Sequence, residues 1–371
     1  MKKISVLAAA LAIGAVSFVS AEGFKFSGYV RSGASVNTKG ETFNNDTWMA
    51  GDFFGGSSRV RMNLDWSNAN GGATLRYQKS GSFTDDDWFD SGNIKYAMAY
   101  ANFLDGKVIV EGGKLLDRYT TTGGWEDGTF GDDLGAGLGA RLVLNPFEGL
   151  YLAASATETY AEKYVATDSK VKDGDATEGE LKFDENLFGF SAKYSTDAFF
   201  VSAGAHLAEV YYGSLGFTGA ENLTIAFEAF ADYHKDSKSS DNILLVPYVE
   251  YTGIENLDIG FFGYIYSADD AYFYAKYTDE DDPSYPTFAE LVPAVSYQLN
   301  DIVKLACEAN IFIPKDWDED KYGSKKDSYT VVVPSVTFLA GEKASVNVWA
   351  SISSDTDYAA NSFGAGVKYN F

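Results

Sequence analysis

The chain has 371 residues, and its 53 acidic against 29 basic side chains give a formal net charge of −24. That charge repels nucleic acid and anionic membrane surfaces, so a nucleic-acid partner is excluded. Aromatic residues make up 16% of the chain, and the single cysteine, Cys307, excludes an intramolecular disulfide.

The N-terminus has the three parts of a secretory signal peptide. Lys2 and Lys3 form a positive region, an apolar run extends from Ile4 to Val19, and a small-residue cleavage site ends at Ala21. The pattern predicts a cleaved signal peptide over residues 1–21 and a single mature domain over 22–371. No later stretch has the roughly 18 consecutive apolar residues that indicate a membrane-spanning helix.

The first mature segments alternate between apolar and polar residues, as half-buried strands do. Residues 24–36 place Tyr29 and Arg31 on the polar side, and residues 59–66 alternate in the same way. Asn and Gly in residues 68–72 predict a tight turn back into the next strand.

This unit then repeats along the chain: a strand, a short turn, a strand and a long acidic segment. The repeat predicts an all-β, closed antiparallel transmembrane β-barrel of about 18 strands with short periplasmic turns and long extracellular loops. Sixteen strands are the alternative, if residues 198–217 form one irregular strand. Lipid covers the apolar faces in this interpretation, because no long helical pattern follows the signal peptide.

The last ten residues, S-F-G-A-G-V-K-Y-N-F, put every large apolar side chain on one face of a strand. They resemble the closing strand of bacterial outer-membrane barrels. The resemblance implies an outer-membrane location, and recognition by the barrel-assembly machinery through Gly366, Tyr369 and Phe371. An edge strand of a soluble β-protein is the alternative.

The first strand, F-S-G-Y-V-R-S-G, resembles the opening of the maltoporin (sugar-specific porin) family. The segment G-G-K-L-L-D-R-Y over 112–119, with residues 134–138, resembles that family's strand, inward-folded third loop and next strand. The resemblance implies a homotrimer with the third loop folded into the lumen. It also implies that Tyr29 lies on an aromatic track for sugar rings, Arg31 on a polar track, and Arg118 at the constriction.

Taken without the resemblance, several arginines are inward-facing bases opposed by acids of the third loop, an arrangement that selects polar solutes. The candidate pore- and solute-lining residues are Tyr29, Arg31, Arg59, Arg61, Arg76, Asp117, Arg118, Tyr119, Asp132, Asp133 and Arg141. The alternative is that the arginines pair with neighbouring acids and brace the wall.

No cofactor is expected. The acidic clusters at 85–87, 279–282 and 316–320 offer oxygen ligands for Ca²⁺ but lack the spacing of an EF-hand loop, so solvated loops or loops bridged to lipopolysaccharide are the simpler interpretation. The chain has two histidines and no hydrolase or nucleotide-binding motif, so an enzyme, such as a barrel hydrolase, is not expected. The sequence predicts an outer-membrane porin for passive diffusion of small hydrophilic solutes, including sugars. A surface adhesin or structural protein with an incidental lumen is the alternative.

Overall fold

Strands form all of the regular secondary structure in the part of the chain that is described. A computed structural model of the chain describes residues 23–38, 59–80, 94–115, 137–157, 188–207, 210–232, 242–267, 288–314, 328–356 and 360–371. No helix in these ranges is long and apolar enough to cross a membrane.

The strands are numbered in chain order. The first nine are β1 (Phe24–Asn37), β2 (Arg59–Asn68), β3 (Gly71–Ser80), β4 (Ile94–Phe103), β5 (Val108–Leu115), β6 (Gly137–Leu144), β7 (Leu150–Thr157), β8 (Phe188–Ser195) and β9 (Phe199–His206). The other nine are β10 (Val210–Ala220), β11 (Leu223–Asp232), β12 (Asn242–Ile254), β13 (Leu257–Ser267), β14 (Phe288–Gln298), β15 (Val303–Pro314), β16 (Tyr329–Ala340), β17 (Ala344–Ser353) and β18 (Ser362–Asn370).

The sheet closes on itself. Each strand pairs antiparallel with the next, and β18 pairs back onto β1, where Tyr369 lies opposite Val30. Closure leaves no unpaired edge, which would cost several kcal/mol per backbone group in hydrocarbon. The predicted closed barrel is therefore confirmed with 18 strands. Sixteen strands are excluded, because residues 199–217 fold back as the hairpin of β9 and β10 and pair along their length.

The two ends of the barrel differ in their connections. At one end, here called the turn end, strands are joined by tight turns such as Glu221–Asn222 between β10 and β11. Asn222 has a φ of 63°, a left-handed conformation that asparagine tolerates. At the other end, the loop end, most connections are long, although only residues 207–209 join β9 to β10. Strand β1 begins and strand β18 finishes at the turn end, as predicted for an even number of strands.

The outward face of the barrel is apolar and exposed. Trp66 is 44% exposed, Leu215 58% and Phe363 61%. Aromatic side chains on this face near the turn end are Trp66, Phe103, Tyr251, Tyr297 and Tyr369. No second sheet or helix covers this face within the described ranges, so hydrocarbon is the medium that suits it, with the aromatic rings at a membrane interface.

The C-terminal residue, Phe371, is hydrogen-bonded to strand β1. The amide of Phe371 donates to the carbonyl oxygen of Gly28 at 3.0 Å, and the Gly28 amide donates to the Phe371 carbonyl oxygen at 3.1 Å. The rings of Phe371 and Phe26 stack with centroids 5.2 Å apart. The last residue is thus part of the seam between β18 and β1. The predicted signal peptide, residues 1–21, lies outside the described residues.

Candidate functional site

The candidate site is the lumen, and strand alternation determines which side chains reach it. Because one face of each strand is apolar and faces outward, the polar face of the same strand points inward. Apart from three lysines treated below, the charged strand residues whose side chains are described face the lumen. The bases are Lys25, Arg31, Arg59, Arg61, Arg76, Arg141, Lys193, Lys304 and Lys368, and the acids are Asp65, Glu111, Glu228, Glu250, Asp258, Glu290 and Glu308.

Five of the bases form one patch, here called the basic wall. They lie on four neighbouring strands, β18, β1, β2 and β3, and are Lys368, Arg31, Arg59, Arg61 and Arg76. The register sets Arg31 directly opposite both Arg59 and Lys368. Like charges placed opposite each other destabilise a sheet, so this patch needs a compensating group.

Tyr29 supplies that compensation. The guanidinium carbon of Arg61 lies 5.3 Å from the centroid of the Tyr29 ring, and that of Arg31 lies 5.9 Å away. The ammonium of Lys368 is 4.7 Å from the same centroid, and Nη1 of Arg59 is 3.5 Å from the Tyr29 hydroxyl. The negative face of an aromatic ring attracts cations, so Tyr29 stabilises the four charges around it.

Neutral side chains orient the arginines of the basic wall. Arg61 donates from Nε to Oε1 of Gln78 at 2.7 Å. Arg76 donates from Nε to Oδ1 of Asn63 at 2.8 Å, and its guanidinium carbon lies 5.0 Å from the centroid of Tyr96. These contacts hold the guanidinium groups in place without neutralising their charge.

Acids occupy the other side of the ring of strands, on β11 to β15. This acidic wall consists of Glu228, Glu250, Asp258, Glu290 and Glu308. In an 18-strand ring β11 lies nine strands from β2, which is half of the circumference. Glu228 on β11 and Glu250 on β12 therefore face the basic wall across the lumen, and the separation of the two walls imposes a transverse field on whatever occupies it.

Neutral donors also hold the carboxylates. The Tyr248 hydroxyl donates to Glu250 at 2.9 Å, and the Ser296 hydroxyl donates to Asp258 at 3.1 Å. The Lys304 ammonium is 3.9 Å from Asp258, where both side chains are partly exposed. These acids are site residues that were not predicted from the sequence. Their inward position follows from alternation, which was the available signal.

Arg141 has a different environment from the basic wall. Its Nε lies 2.6 Å from Oε2 of Glu111 on the neighbouring strand β5, and the two side chains are 2% and 1% exposed. A buried ion pair of this kind links β5 to β6. The contact fits the bracing alternative for Arg141, and its role in lining the solute path stays a prediction.

A neutral cluster lies on the inner face of β16, β17 and β18. It consists of Ser335, Asn347, Trp349, Ser351 and Ser362, all buried. Each has a side-chain nitrogen or oxygen with no hydrogen-bond partner in the described part of the chain. The Trp349 ring lies over Gly364, where an added Cβ would be 2.1 Å from it. Trp349 is 3% exposed and packs against Val331 and Val333, so the cluster is a buried group of neutral donors and acceptors that suits bound water.

The third loop lies outside the described residues. The site residues predicted there are Asp117, Arg118, Tyr119, Asp132 and Asp133, and the acidic clusters at 85–87, 279–282 and 316–320 are outside as well. Their roles stay predictions. Among the described residues no group of three or more His, Cys, Asp or Glu side chains is arranged to hold a metal ion.

No protein-family model matches the chain, and no curated protein is similar in sequence. In fold, it resembles the Salmonella typhi OmpF complex with daunomycin, with a TM-score of 0.50, 12% identity and coverage of 94% of this chain and 97% of that chain. It also resembles a double variant of OccD1 (OprD), with a TM-score of 0.51, 11% identity and coverage of 94% and 96%. The chain is an outer-membrane β-barrel with the fold of bacterial porins. Its apolar outer face and closed sheet place it in a bacterial outer membrane.

Proposed function

We propose that the protein is an outer-membrane porin through which small hydrophilic solutes diffuse passively, and that it is not an enzyme. The observation that carries this proposal is the segregation of inward-facing charge into a basic and an acidic wall. A closed sheet of 18 strands is too wide for its own side chains to fill, so it encloses space for water and solutes. Opposed charges across that space orient water and favour polar over apolar solutes.

The charge arrangement favours a pore over the adhesin alternative. A barrel that served only to display loops would gain nothing from five cations grouped around Tyr29 and Tyr96, since grouping them brings like charges together. An adhesin would act through segments at the loop end, and its lumen would be dispensable. The two functions therefore differ in whether the lumen conducts.

Recording currents across a planar bilayer tests the proposal. We expect the purified mature chain to insert with unitary, ohmic current steps in KCl. Inserted protein with no current steps, with its barrel fold verified by mobility on an unboiled gel, would contradict the pore and favour the adhesin.

Sugars are a second candidate for the solute. Tyr29, which the resemblance to maltoporins places on an aromatic track for sugar rings, faces the lumen and favours them, although cations surround its ring.

We expect added maltodextrins to block the current in proportion to occupancy of the lumen. Current that maltodextrins do not change would make the protein a general pore.

We also propose that the chain assembles as a homotrimer and that the barrel-assembly machinery reads Gly366, Tyr369 and Phe371. Support for the second point is geometric. Tyr369 is 50% exposed on the outward face, and Phe371 completes the seam next to it at the turn end. This end of the seam is accessible to a partner from the periplasmic side.

A further inference from the structure

The outward face, which is otherwise without charge on the described strands, carries lysines at one place. Among the outward-facing positions of the described strands, only Lys79 on β3, Lys95 on β4 and Lys114 on β5 carry a charge. The three strands are neighbours, and all three lysines lie near the loop end. All of the acids on the described strands whose side chains are described face the lumen. On the outer face of the described strands, no acid therefore lies beside Lys95 and Lys114.

A β-bulge displays the central lysine. Tyr77 on β3 pairs with Ile94 and Arg76 pairs with Tyr96, so Lys95 is an extra residue without a partner in the ladder. A bulge of this kind redirects side chains at the rim of a barrel. The Lys95 side chain is exposed, the Lys114 side chain is partly exposed, and Lys79 is buried against the protein. Lys114 lies opposite Ala97, two positions along β4 from Lys95, so the two ammonium groups can reach one anion.

A smooth strip of small residues continues from this pair toward the middle of the membrane. Ala99, Gly112 and Ala140 form one cross-strand row on β4, β5 and β6, and Ala97 lies between that row and Lys95. A Cβ added to Gly112 would meet nothing nearer than 4.0 Å, so the surface there is open. The strip offers space along which an acyl chain can lie.

Snorkelling toward water does not explain the pattern on its own. Lysines that only reach for the interface could lie on any strand of the rim, because every strand ends at the same boundary. Here they are confined to adjacent strands above the open strip. The whole chain has a net charge of −24, which repels anionic lipid, so a local positive patch is where such a lipid can approach.

We propose that Lys95 and Lys114 bind the phosphate of an outer-leaflet lipid headgroup whose acyl chain lies along Ala97, Ala99, Gly112 and Ala140. The loop end is the extracellular end of such barrels, so the site lies at the headgroups of the outer leaflet. Binding holds one phosphorylated lipid at a defined position on the barrel.

Native mass spectrometry of the detergent-purified barrel with diphosphoryl lipid A tests the site. We expect Lys95→Gln/Lys114→Gln to weaken binding of the first lipid about tenfold or more, because each lysine near an anionic surface contributes to attraction. Lys95→Arg/Lys114→Arg should retain binding. Lys107→Gln is the matched control, since Lys107 is exposed in the turn at the opposite end of the same β4–β5 hairpin and should leave binding unchanged.

Two further comparisons test which parts of the lipid the site recognises. Lipid A without its phosphates should bind the native barrel as weakly as diphosphoryl lipid A binds the glutamine variant. Inorganic phosphate at millimolar concentration should not displace diphosphoryl lipid A, because it lacks the acyl chain. Equal lipid binding by the native and glutamine barrels, with fold verified by gel mobility, would overturn the proposal, as would displacement by free phosphate.

Discussion

Glu111→Ala is expected to lower the free energy of unfolding by about 3–5 kcal/mol, the loss typical of removing one partner from a buried ion pair. As whole residues, Glu111 and Arg141 are 2% and 3% exposed, and Oε2 of Glu111 lies 2.6 Å from Nε of Arg141. With the carboxylate gone, the guanidinium remains away from water without its counter-charge. The loss of stability arises because the Arg141 charge stays buried without the Glu111 carboxylate, and not because a small Coulomb attraction is lost.

Urea unfolding of the barrel in detergent, followed by tryptophan fluorescence, measures this effect. Glu148→Ala is the matched control, because Glu148 is exposed in the β6–β7 turn and its loss should change stability by no more than about 0.5 kcal/mol. The double variant Glu111→Leu/Arg141→Leu removes both charges and should recover most of the stability. If the double variant is as unstable as Glu111→Ala, then lost packing, and not the buried Arg141 charge, causes the loss of stability.

Neutralising the acidic wall is expected to change the ion selectivity of the pore. We expect the native pore to prefer cations, as its net charge of −24 favours. The variant Glu228→Gln/Glu250→Gln/Glu290→Gln/Glu308→Gln removes four of the five negative charges of the acidic wall and leaves the basic wall unchanged. The cation-to-anion permeability ratio should then fall about tenfold and drop below one, because clefts lined by one sign of charge concentrate the opposite ion.

The reversal potential in a KCl gradient measures this ratio. The shift should be large near 0.1 M salt, where the Debye length is about 10 Å, and small at 1 M, where it is about 3 Å. Glu255→Gln is the control, because Glu255 is exposed in the β12–β13 turn outside the lumen. A quadruple variant with the native reversal potential would show that ions do not pass between the two walls.

The amino-acid sequence determined the local features of this protein. Side chains alternate along a strand with period two, so the inward position of Tyr29 and Arg31 and the outward position of Val30 could be predicted from neighbouring residues alone. The closing strand β18 followed in the same way. The repeat of strands and turns predicted about 18 strands but left 16 as an alternative, because the connection between His206 and Val210 is too short to stand out as a loop.

Only the tertiary structure decided which side chains face each other. Glu111 and Arg141 are 30 residues apart and meet because β5 and β6 pair in one particular register. Glu228 and Glu250 lie half a ring away from the basic wall on β11 and β12, and no pattern within those strands relates them to it. Alternation is a property of a few neighbouring residues. Opposition across the lumen depends on how the strands close into a ring, which alternation within one strand does not encode.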